Sequence, residues 1–504
     1  MKRDTSHLRG RMARGRSLTV CAAVAAALIA CQRRTADPWM SEIGAIERRL
    51  RADVAFLAAD ELEGRGTPGR GLDLAALYLE TQLRAAGVEP AVSGSYRQPY
   101  RVGWYLPAEA KVSVTVNGRR LDPADYLLLN FGRDPDQGPI ALAAVEAGTG
   151  VVAEERNVNE LAGLELKGKA VVARKGAPWP LEPEAVFGPD RAIGKVMAAT
   201  LRGAELLVYL SEELDRAEEA ECRFFAEMKQ APVAFVRPAG FGHTSALSPI
   251  LVVRPKAASI KTGDRIEVRI QARVEEGSAA NVLGLIRGTD PKLGEEWVVM
   301  SAHYDHVGCR PAREGEDGVW NGADDNASGT AAVLEIARQA ARRPGKRGVL
   351  VLLTSGEDRG VLGSAWYAAA PVVPMDRVAA QFNLDMIGRS DGRVQGIAPL
   401  SPSLYDEAVA AGRRYGLEVI PDQQPSWRVV YLTDLYHFAR AGVPGIFFFT
   451  GTHADYHQVT DTADKIHYPE LARITALAGE ISRAYIDGAP RPRYERPAWF
   501  VTLD

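Results

Sequence analysis

Four continuous apolar runs, separated by segments of helical periodicity, constrain the fold of the second half of the chain. The runs cover residues 297–300, 349–353, 378–384 and 445–449. The helical segments cover residues 330–341, 363–370, 404–415 and 471–485. Apolar runs without alternation are typical of strands buried on both faces, and their alternation with helices favours a mostly parallel sheet. We therefore predict an α/β domain over residues 276–490, whose mostly parallel (mixed) central sheet is flanked by helices on both faces.

The rest of the chain divides into parts with different patterns, as expected for 504 residues, which exceed what one core usually organises. Residues 40–105 show helical periodicity and are predicted to be an N-terminal helical part of the same domain, with a glycine-rich loop at 63–69. Residues 106–275 change to short β-branched runs interrupted by Gly, Pro and Asn, which predicts an inserted β-rich domain. Residues 491–504 are left as a C-terminal tail.

A basic segment and an apolar run open the chain. The run, residues 18–30, is too short to span a bilayer but has the length of a signal-peptide core. It ends in Leu28-Ile29-Ala30-Cys31, which resembles a bacterial lipobox. We predict that residues 1–30 are a lipoprotein signal peptide and that a lipid on Cys31 anchors an exported protein to a bacterial membrane, in the periplasm or at the cell surface. The alternative is an ordinary cleavage site beside an incidental cysteine.

Composition excludes nucleic acid as a partner and leaves open both the pairing of the cysteines and the oligomeric state. The net charge of -3 includes the basic leader, so the remaining chain is more acidic still and offers no electrostatic basis for binding nucleic acid. Hydrophobic residues at 46% and charged residues at 25% fit a soluble folded chain. Cys222 and Cys309 could form a disulfide or remain two thiols. The oligomeric state is also open.

Acidic and imidazole side chains follow each of the four apolar runs. Ligand sites in open α/β sheets form at the carboxyl ends of the strands, so we expect these side chains to converge. Imidazole and carboxylate together suit zinc, and also cobalt or manganese. A carboxylate shared by two ions roughly 3.5 to 4 Å apart is a recurring device for hydrolysis. The candidates are His303 and Asp305 after the first run, Glu357 and Asp358 after the second, Asp385 after the third, Tyr456 and His457 after the fourth, and Asp324 and Asp325 in the turn at 322–329.

These motifs resemble the two-zinc aminopeptidase family of metallopeptidases, which includes secreted bacterial leucyl aminopeptidases and glutamate carboxypeptidases. The resemblance rests on His-x-Asp at 303–305, on Gly-Ala-x-Asp-x-Ala-Ser-Gly at 322–329, on the acidic pair at 357–358, on Leu-Asp-Met at 384–386 and on His-x-x-x-Asp-Thr at 457–462. It implies a zinc-dependent exopeptidase, and an aminopeptidase in particular, that acts on peptides. It is also what assigns the bridging role to Asp325 rather than Asp324.

The resemblance implies a role for each of these residues. One zinc ion would be held by His303, Asp325 and Asp385, and the other by Asp325, Asp358 and His457. The catalytic residues would be Glu357, as general base for a water that bridges the metals, and Asp305, which orients the His303 imidazole. Tyr456 would contact the tetrahedral intermediate. Within the insertion, the segments at 166–172 and 203–209 and Lys195 resemble a protease-associated domain, with another small α/β insert as the alternative.

Two positions depart from the commonest family pattern. Asp358 replaces the more usual Glu, which predicts altered geometry or metal preference, and Leu435 stands where a His often follows Asp434. Outside the motif positions, individual histidines are expected to lie on the surface or in loops rather than to bind metal. They are His306, His437, His453 and His467.

Two other functions compete with the exopeptidase. A glutaminyl cyclase-like acyltransferase would use the same scaffold with one zinc ion. A catalytically inactive receptor or scaffold protein would keep the fold without the chemistry, although such proteins usually lose ligands and all five ligand positions here hold residues able to bind a metal.

Overall fold

The computed structural model describes residues 38–181, 188–214, 220–237, 247–312, 315–425 and 428–502. The predicted signal peptide and Cys31 lie outside these residues. Among the described residues, no helix combines the length and the apolar character needed to cross a membrane.

The described helices and strands are given in chain order. The helices are α1 (Pro38–Leu57), α2 (Arg70–Ala85), α3 (Ala192–Thr200), α4 (Ala220–Gln230), α5 (Gly329–Arg342), α6 (Leu362–Ala369), α7 (Pro402–Gly412), α8 (Leu435–Arg440) and α9 (Tyr468–Ile486). The strands are β1 (Glu89–Pro90), β2 (Arg97–Tyr105), β3 (Lys111–Val116), β4 (Arg119–Arg120), β5 (Tyr126–Leu129), β6 (Ile140–Glu146), β7 (Val152–Ala153), β8 (Val158–Asn159), β9 (Lys169–Arg174), β10 (Leu206–Leu210), β11 (Val233–Arg237), β12 (Ile250–Val253), β13 (Arg265–Gln271), β14 (Glu275–Ile286), β15 (Trp297–His303), β16 (Gly308–Cys309), β17 (Val319–Trp320), β18 (Gly348–Thr354), β19 (Val378–Leu384), β20 (Arg393–Ile397), β21 (Glu418–Ile420) and β22 (Gly445–Phe449).

A ten-stranded mixed sheet forms the centre of the larger domain. Its strands lie in the order β11, β2, β14, β18, β15, β19, β22, β20, β21, and β1 pairs with β14. The four middle strands, β18, β15, β19 and β22, are parallel, whereas β14 and β20 run antiparallel to their neighbours in this group. The predicted fold class is therefore confirmed, and each of the four predicted runs lies within one of the parallel strands.

Side chains of the middle strands alternate between two apolar layers. Val298 and Met300 pack into the cluster that contains the buried faces of α1, α5 and α9. Val299, between them, packs on the opposite side with Tyr367 of α6 and Phe438 of α8. Because both faces are covered by helices, these strands read as continuous apolar sequence rather than as an alternating pattern.

The inserted domain contains its own eight-stranded sheet, with the order β4, β3, β13, β6, β9, β10, β12, β5. Strand β11, which lies inside the predicted range 106–275, belongs instead to the central sheet, where it pairs antiparallel with β2. Its apolar residues Val233 and Phe235 are buried there. The insertion is thus interrupted by a strand of the larger domain, and its likeness to a protease-associated domain stays a prediction.

Phe500 and Val501, near the C-terminus, contact Tyr431 of the larger domain. Phe500 is 2% exposed and stacks on Tyr431, with ring centroids 5.3 Å apart. The Tyr431 hydroxyl accepts a hydrogen bond from the Val501 amide at 2.8 Å. The same apolar cluster contains Leu207 of the insertion and Phe447 of the central sheet. Phe500 of the predicted tail therefore belongs to the core shared by the two domains.

The two cysteines of the described body, Cys222 and Cys309, are not joined by a disulfide. Cys222 is buried and Cys309 is exposed. Of the two possibilities that the sequence left open, the structure therefore agrees with two thiols.

Replacing Phe500 with Ala should destabilise the protein, because it leaves a cavity beside Tyr431 in the shared core. We expect a loss of about 3 to 5 kcal/mol in the free energy of unfolding, measured by chemical denaturation. Leu77→Ala is the control, since Leu77 is 55% exposed and its truncation should change stability little. Equal losses for the two variants would show that the end of the chain does not contribute to the core.

Candidate metal centre

Three adjacent parallel strands carry the first candidate ligands to one edge of the sheet. His303 is the last residue of β15, and Asp385 directly follows β19. Glu357 and Asp358 lie in the loop after β18. Because these strands neighbour one another, their carboxyl ends place the four side chains in one region.

The turn before α5 presents Asp325 to this region. Gly322 begins the turn with φ at 59°, and a Cβ at this position would lie 2.2 Å from the Asp325 carbonyl oxygen, so the turn requires glycine. The Asp461 carboxylate accepts hydrogen bonds from the amides of Asp324 and Asp325, at 2.9 and 3.1 Å. Asp461, which belongs to the predicted motif at 457–462, therefore fixes the backbone of the turn through these two hydrogen bonds.

The Asp325 carboxylate faces two separate groups of side chains. Its Oδ1 lies 3.2 Å from His303 Nε2, and Asp385 Oδ1 lies 3.2 Å from the same nitrogen. Its Oδ2 lies 3.0 Å from His457 Nε2, and Asp358 Oδ1 lies 3.2 Å from that nitrogen. The structure thus brings all five predicted ligands together, with Asp325 common to both groups.

These two groups fit divalent cations. Oxygen and nitrogen atoms bound to one tetrahedral zinc ion at 2.0–2.2 Å are separated by roughly 3.3 to 3.6 Å, slightly more than the 3.0 to 3.2 Å observed here. Nearly buried carboxylates at this density repel one another unless cations lie among them. Burial raises the pKa of Glu357 well above its usual value, and the charges of Asp385 and Asp358 add to this while His303 opposes it. Zinc suits such a set of imidazoles and carboxylates.

Asp305 connects one group to the loop that carries Glu357. Its Oδ1 lies 3.6 Å from His303 Nδ1 and accepts a hydrogen bond from the Glu357 amide at 3.2 Å. Its Oδ2 accepts a hydrogen bond from the Thr67 hydroxyl at 3.1 Å. The carboxylate is fully buried, but at 3.6 Å it makes no hydrogen bond with His303 Nδ1, so the orienting role predicted for Asp305 stays a prediction.

Arg65 is a buried cation that the sequence analysis missed. It is 1% exposed and donates hydrogen bonds to the carbonyls of Tyr304, Asn321 and Gly322 at 2.7 to 2.9 Å, and also to the Leu57 carbonyl. Burial lowers its pKa to about 10, which leaves it charged at neutral pH, and the nearby carboxylates oppose the shift. The sequence feature that could have indicated a role for Arg65 is its position between Gly64 and Gly66 in the predicted loop.

His306 lies in the segment after β15, which agrees with a loop position, but it is fully buried and stands among the candidate metal ligands, which the sequence analysis did not predict. Its Nδ1 lies 2.8 Å from Asp358 Oδ2 and 3.7 Å from Asp325 Oδ2. Its position three residues after His303, directly following the His-x-Asp motif, was the signal available in the sequence.

Two of the predicted surface or loop histidines agree with the prediction, because His453 lies in the loop after β22 and His467 is exposed. His453 is partly buried, with Nε2 3.1 Å from Asp324 Oδ2. The other oxygen of Asp324 accepts a hydrogen bond from the Gly388 amide at 2.6 Å, and this aspartate belongs to neither of the two ligand groups. His467 is exposed, as predicted.

His437 lies in α8 and is only 7% exposed, so the prediction of a surface or loop residue is wrong. The Leu435 and Phe438 side chains beside it are core residues of a helix that closes one face of the sheet. Burial lowers the pKa of His437 to about 3, and the charge of Arg440 acts in the same direction.

Tyr456 stacks on the His457 imidazole, with ring centroids 3.9 Å apart and an angle of 24° between the planes. This contact restricts the orientation of a candidate ligand. The predicted contact of Tyr456 with a reaction intermediate stays a prediction.

The fold and the site define a domain of the zinc-metallopeptidase type, and comparison with known proteins identifies its family. Residues 281–482 match the model of peptidase family M28. The chain therefore contains a domain of this family.

Individual relatives are similar over parts of the chain. A probable zinc metalloprotease of Leptosphaeria maculans is 30% identical over 143 residues, which are 27% of this chain and 32% of that protein. Aminopeptidase YwaD of Bacillus subtilis is 32% identical over 114 residues, which are 22% of this chain and 23% of that protein. The chain thus matches about a third or less of the length of these two relatives.

A solved structure supports the fold over most of the chain. The aminopeptidase from Aneurinibacillus sp. strain AM-1 covers 90% of this chain and 96% of its own, with a TM-score of 0.51 and 18% sequence identity. At this identity the likeness concerns the fold alone.

The buried His437 predicts a pH dependence of stability. Below pH about 6.5 the unfolded chain binds a proton at this residue, whereas the folded protein does so only near pH 3. Stability should therefore fall with decreasing pH in this window, by up to about 1.4 kcal/mol per pH unit from this residue.

Unfolding free energies of the wild type and of His437→Leu, measured between pH 7 and pH 5, test this prediction. The variant should show the smaller loss, and the exposed-residue control His467→Leu should follow the wild type. A wild type and a His437→Leu variant with the same slope would contradict the burial of a neutral imidazole.

Proposed function

We propose that the protein is a zinc-dependent exopeptidase, specifically an aminopeptidase that uses two zinc ions. The observation that supports this most directly is the position of Asp325, whose two oxygens face different groups of ligands. In this proposal His303 and Asp385 complete one zinc site, and Asp358 and His457 complete the other. Cobalt or manganese could occupy the same ligands.

Ions bound at such a site would polarise the carbonyl of the scissile bond and lower the pKa of a water molecule. Glu357 is assigned as the general base that takes the proton from the attacking water and gives it to the leaving amine. Its carboxylate belongs to neither ligand group, although it neighbours Asp358 in the chain. Its amide is held by Asp305, which fixes the loop that carries the base.

The choice of an aminopeptidase draws on the name of a similar protein, aminopeptidase YwaD of Bacillus subtilis. A carboxypeptidase would use the same metal chemistry on the opposite end of the peptide. We further propose that the mature protein is held at a bacterial membrane by a lipid on Cys31 and meets its peptide substrates outside the cytoplasm.

Replacing Glu357 with Gln should remove the base while keeping a side chain of the same size. We expect the turnover of aminoacyl-anilides to fall by roughly 10²- to 10⁴-fold. Zinc content, measured by atomic emission, should be unchanged because Glu357 is not assigned as a ligand. Glu418→Gln is the matched control, since Glu418 is exposed on β21 and should retain full activity.

The same samples separate the competing functions. Two zinc ions per chain and cleavage that requires a free amino terminus support the aminopeptidase. A single firmly bound zinc with cyclisation of amino-terminal glutamine would favour the cyclase. A protein without metal that binds another protein would favour a scaffold, and full activity of Glu357→Gln would refute the assigned base.

A further inference from the structure

Among the described residues, His306 is the one histidine of the two candidate ligand groups to which the proposed function gives no role. It is fully buried, and its Nδ1 lies 2.8 Å from Asp358 Oδ2. Its Nε2 is buried without a hydrogen-bond partner among the described residues. A buried polar ring with one close carboxylate contact requires a physical explanation.

The two oxygens of Asp358 face different imidazoles. Oδ1 lies 3.2 Å from His457 Nε2, in the group assigned to the second zinc ion. Oδ2 lies 2.8 Å from His306 Nδ1. Since an ionised carboxylate only accepts hydrogen bonds, this short contact requires the proton on His306 Nδ1.

Three contacts fix the position of His306. Its amide donates a hydrogen bond to the Arg65 carbonyl at 3.2 Å. Its ring meets the His457 ring edge-on, with centroids 5.4 Å apart. A Cβ on Gly322 would lie 2.5 Å from the ring, so the absence of a side chain there makes room for it. The donor is therefore preorganised before any metal arrives.

We propose that His306 is a positioning residue for the second zinc ion. Its Nδ1–H group fixes Asp358 through Oδ2, so that Oδ1 is the oxygen directed at the ion beside His457. This inference rests on the proposed function, because it assumes that Asp358 is a zinc ligand. Direct ligation by His306 Nδ1 is the alternative role, because this nitrogen and ligand atoms of Asp325, Asp358 and His457 all lie within 4.8 Å of one another, and the substitutions below separate the two roles.

Two amide substitutions test which ring atom matters. His306→Asn places an amide nitrogen near the position of Nδ1, whereas His306→Gln places it near that of Nε2. We expect His306→Gln to weaken binding of the second zinc ion by roughly 10- to 100-fold and His306→Asn to stay near the wild type. The zinc dissociation constants are measured by competition with a chromogenic chelator, and no turnover is needed.

Cobalt substitution provides a second measurement. The visible absorption of the second Co²⁺ to bind should be kept in His306→Asn, whose ligand set is intact, and altered in His306→Gln. The exposed-residue variant His467→Leu should match the wild type in both measurements. Circular dichroism of the metal-free proteins checks that each variant is folded.

The inference is wrong if His306→Asn loses the second ion as readily as His306→Gln, because the ring would then act as a ligand or only fill space. It is also wrong if both variants bind zinc like the wild type. A wild type that binds fewer than two zinc ions would instead refute the proposed function, so the two failures can be told apart.

Discussion

The mutual repulsion of nearly buried carboxylates around Asp325 is the constraint on which the rest of the site depends. Asp325, Asp358 and Asp385 lie within hydrogen-bonding distance of three imidazoles, those of His303, His306 and His457, with Glu357 beside them. Isolated charges in such a place cost several kcal/mol each unless cations compensate them. A divalent ion in each ligand group would replace the repulsion among the carboxylates with attraction to the cation. Metal binding therefore explains the arrangement better than structural ion pairs do.

Much of the surrounding structure serves to hold these side chains before an ion binds. The amides of the turn are fixed by Asp461, and the carbonyls on either side of the site are fixed by Arg65. Arg65 is a permanent positive charge whose hydrogen bonds all go to the backbone, so it supports the loops without occupying a ligand carboxylate. Thr67 and Asp305 extend the same network to the loop of Glu357. Ligands held in this way lose little freedom when the metal arrives.

Short-range patterns in the sequence were sufficient to predict the frame of the site. The parallel strands are local apolar runs, and residues that follow such strands converge because of how sheets are built. His303, Asp358 and Asp385 could therefore be found from the sequence. The burial of His306 and Arg65 was not predicted, because it depends on a contact between distant parts of the chain, in which Arg65 donates to the Tyr304 and Gly322 carbonyls and accepts from the His306 amide. Strand β11 was assigned to the insertion for the same reason, since its partner β2 lies more than a hundred residues earlier.

Anomalous diffraction from zinc-soaked crystals is the most direct test of the shared carboxylate. Data collected on either side of the zinc absorption edge should show two peaks roughly 3.5 to 4 Å apart, with the Asp325 carboxylate between them. His303 and Asp385 should contact one peak, and Asp358 and His457 the other. A single peak, or two peaks of which only one contacts Asp325, would contradict the account.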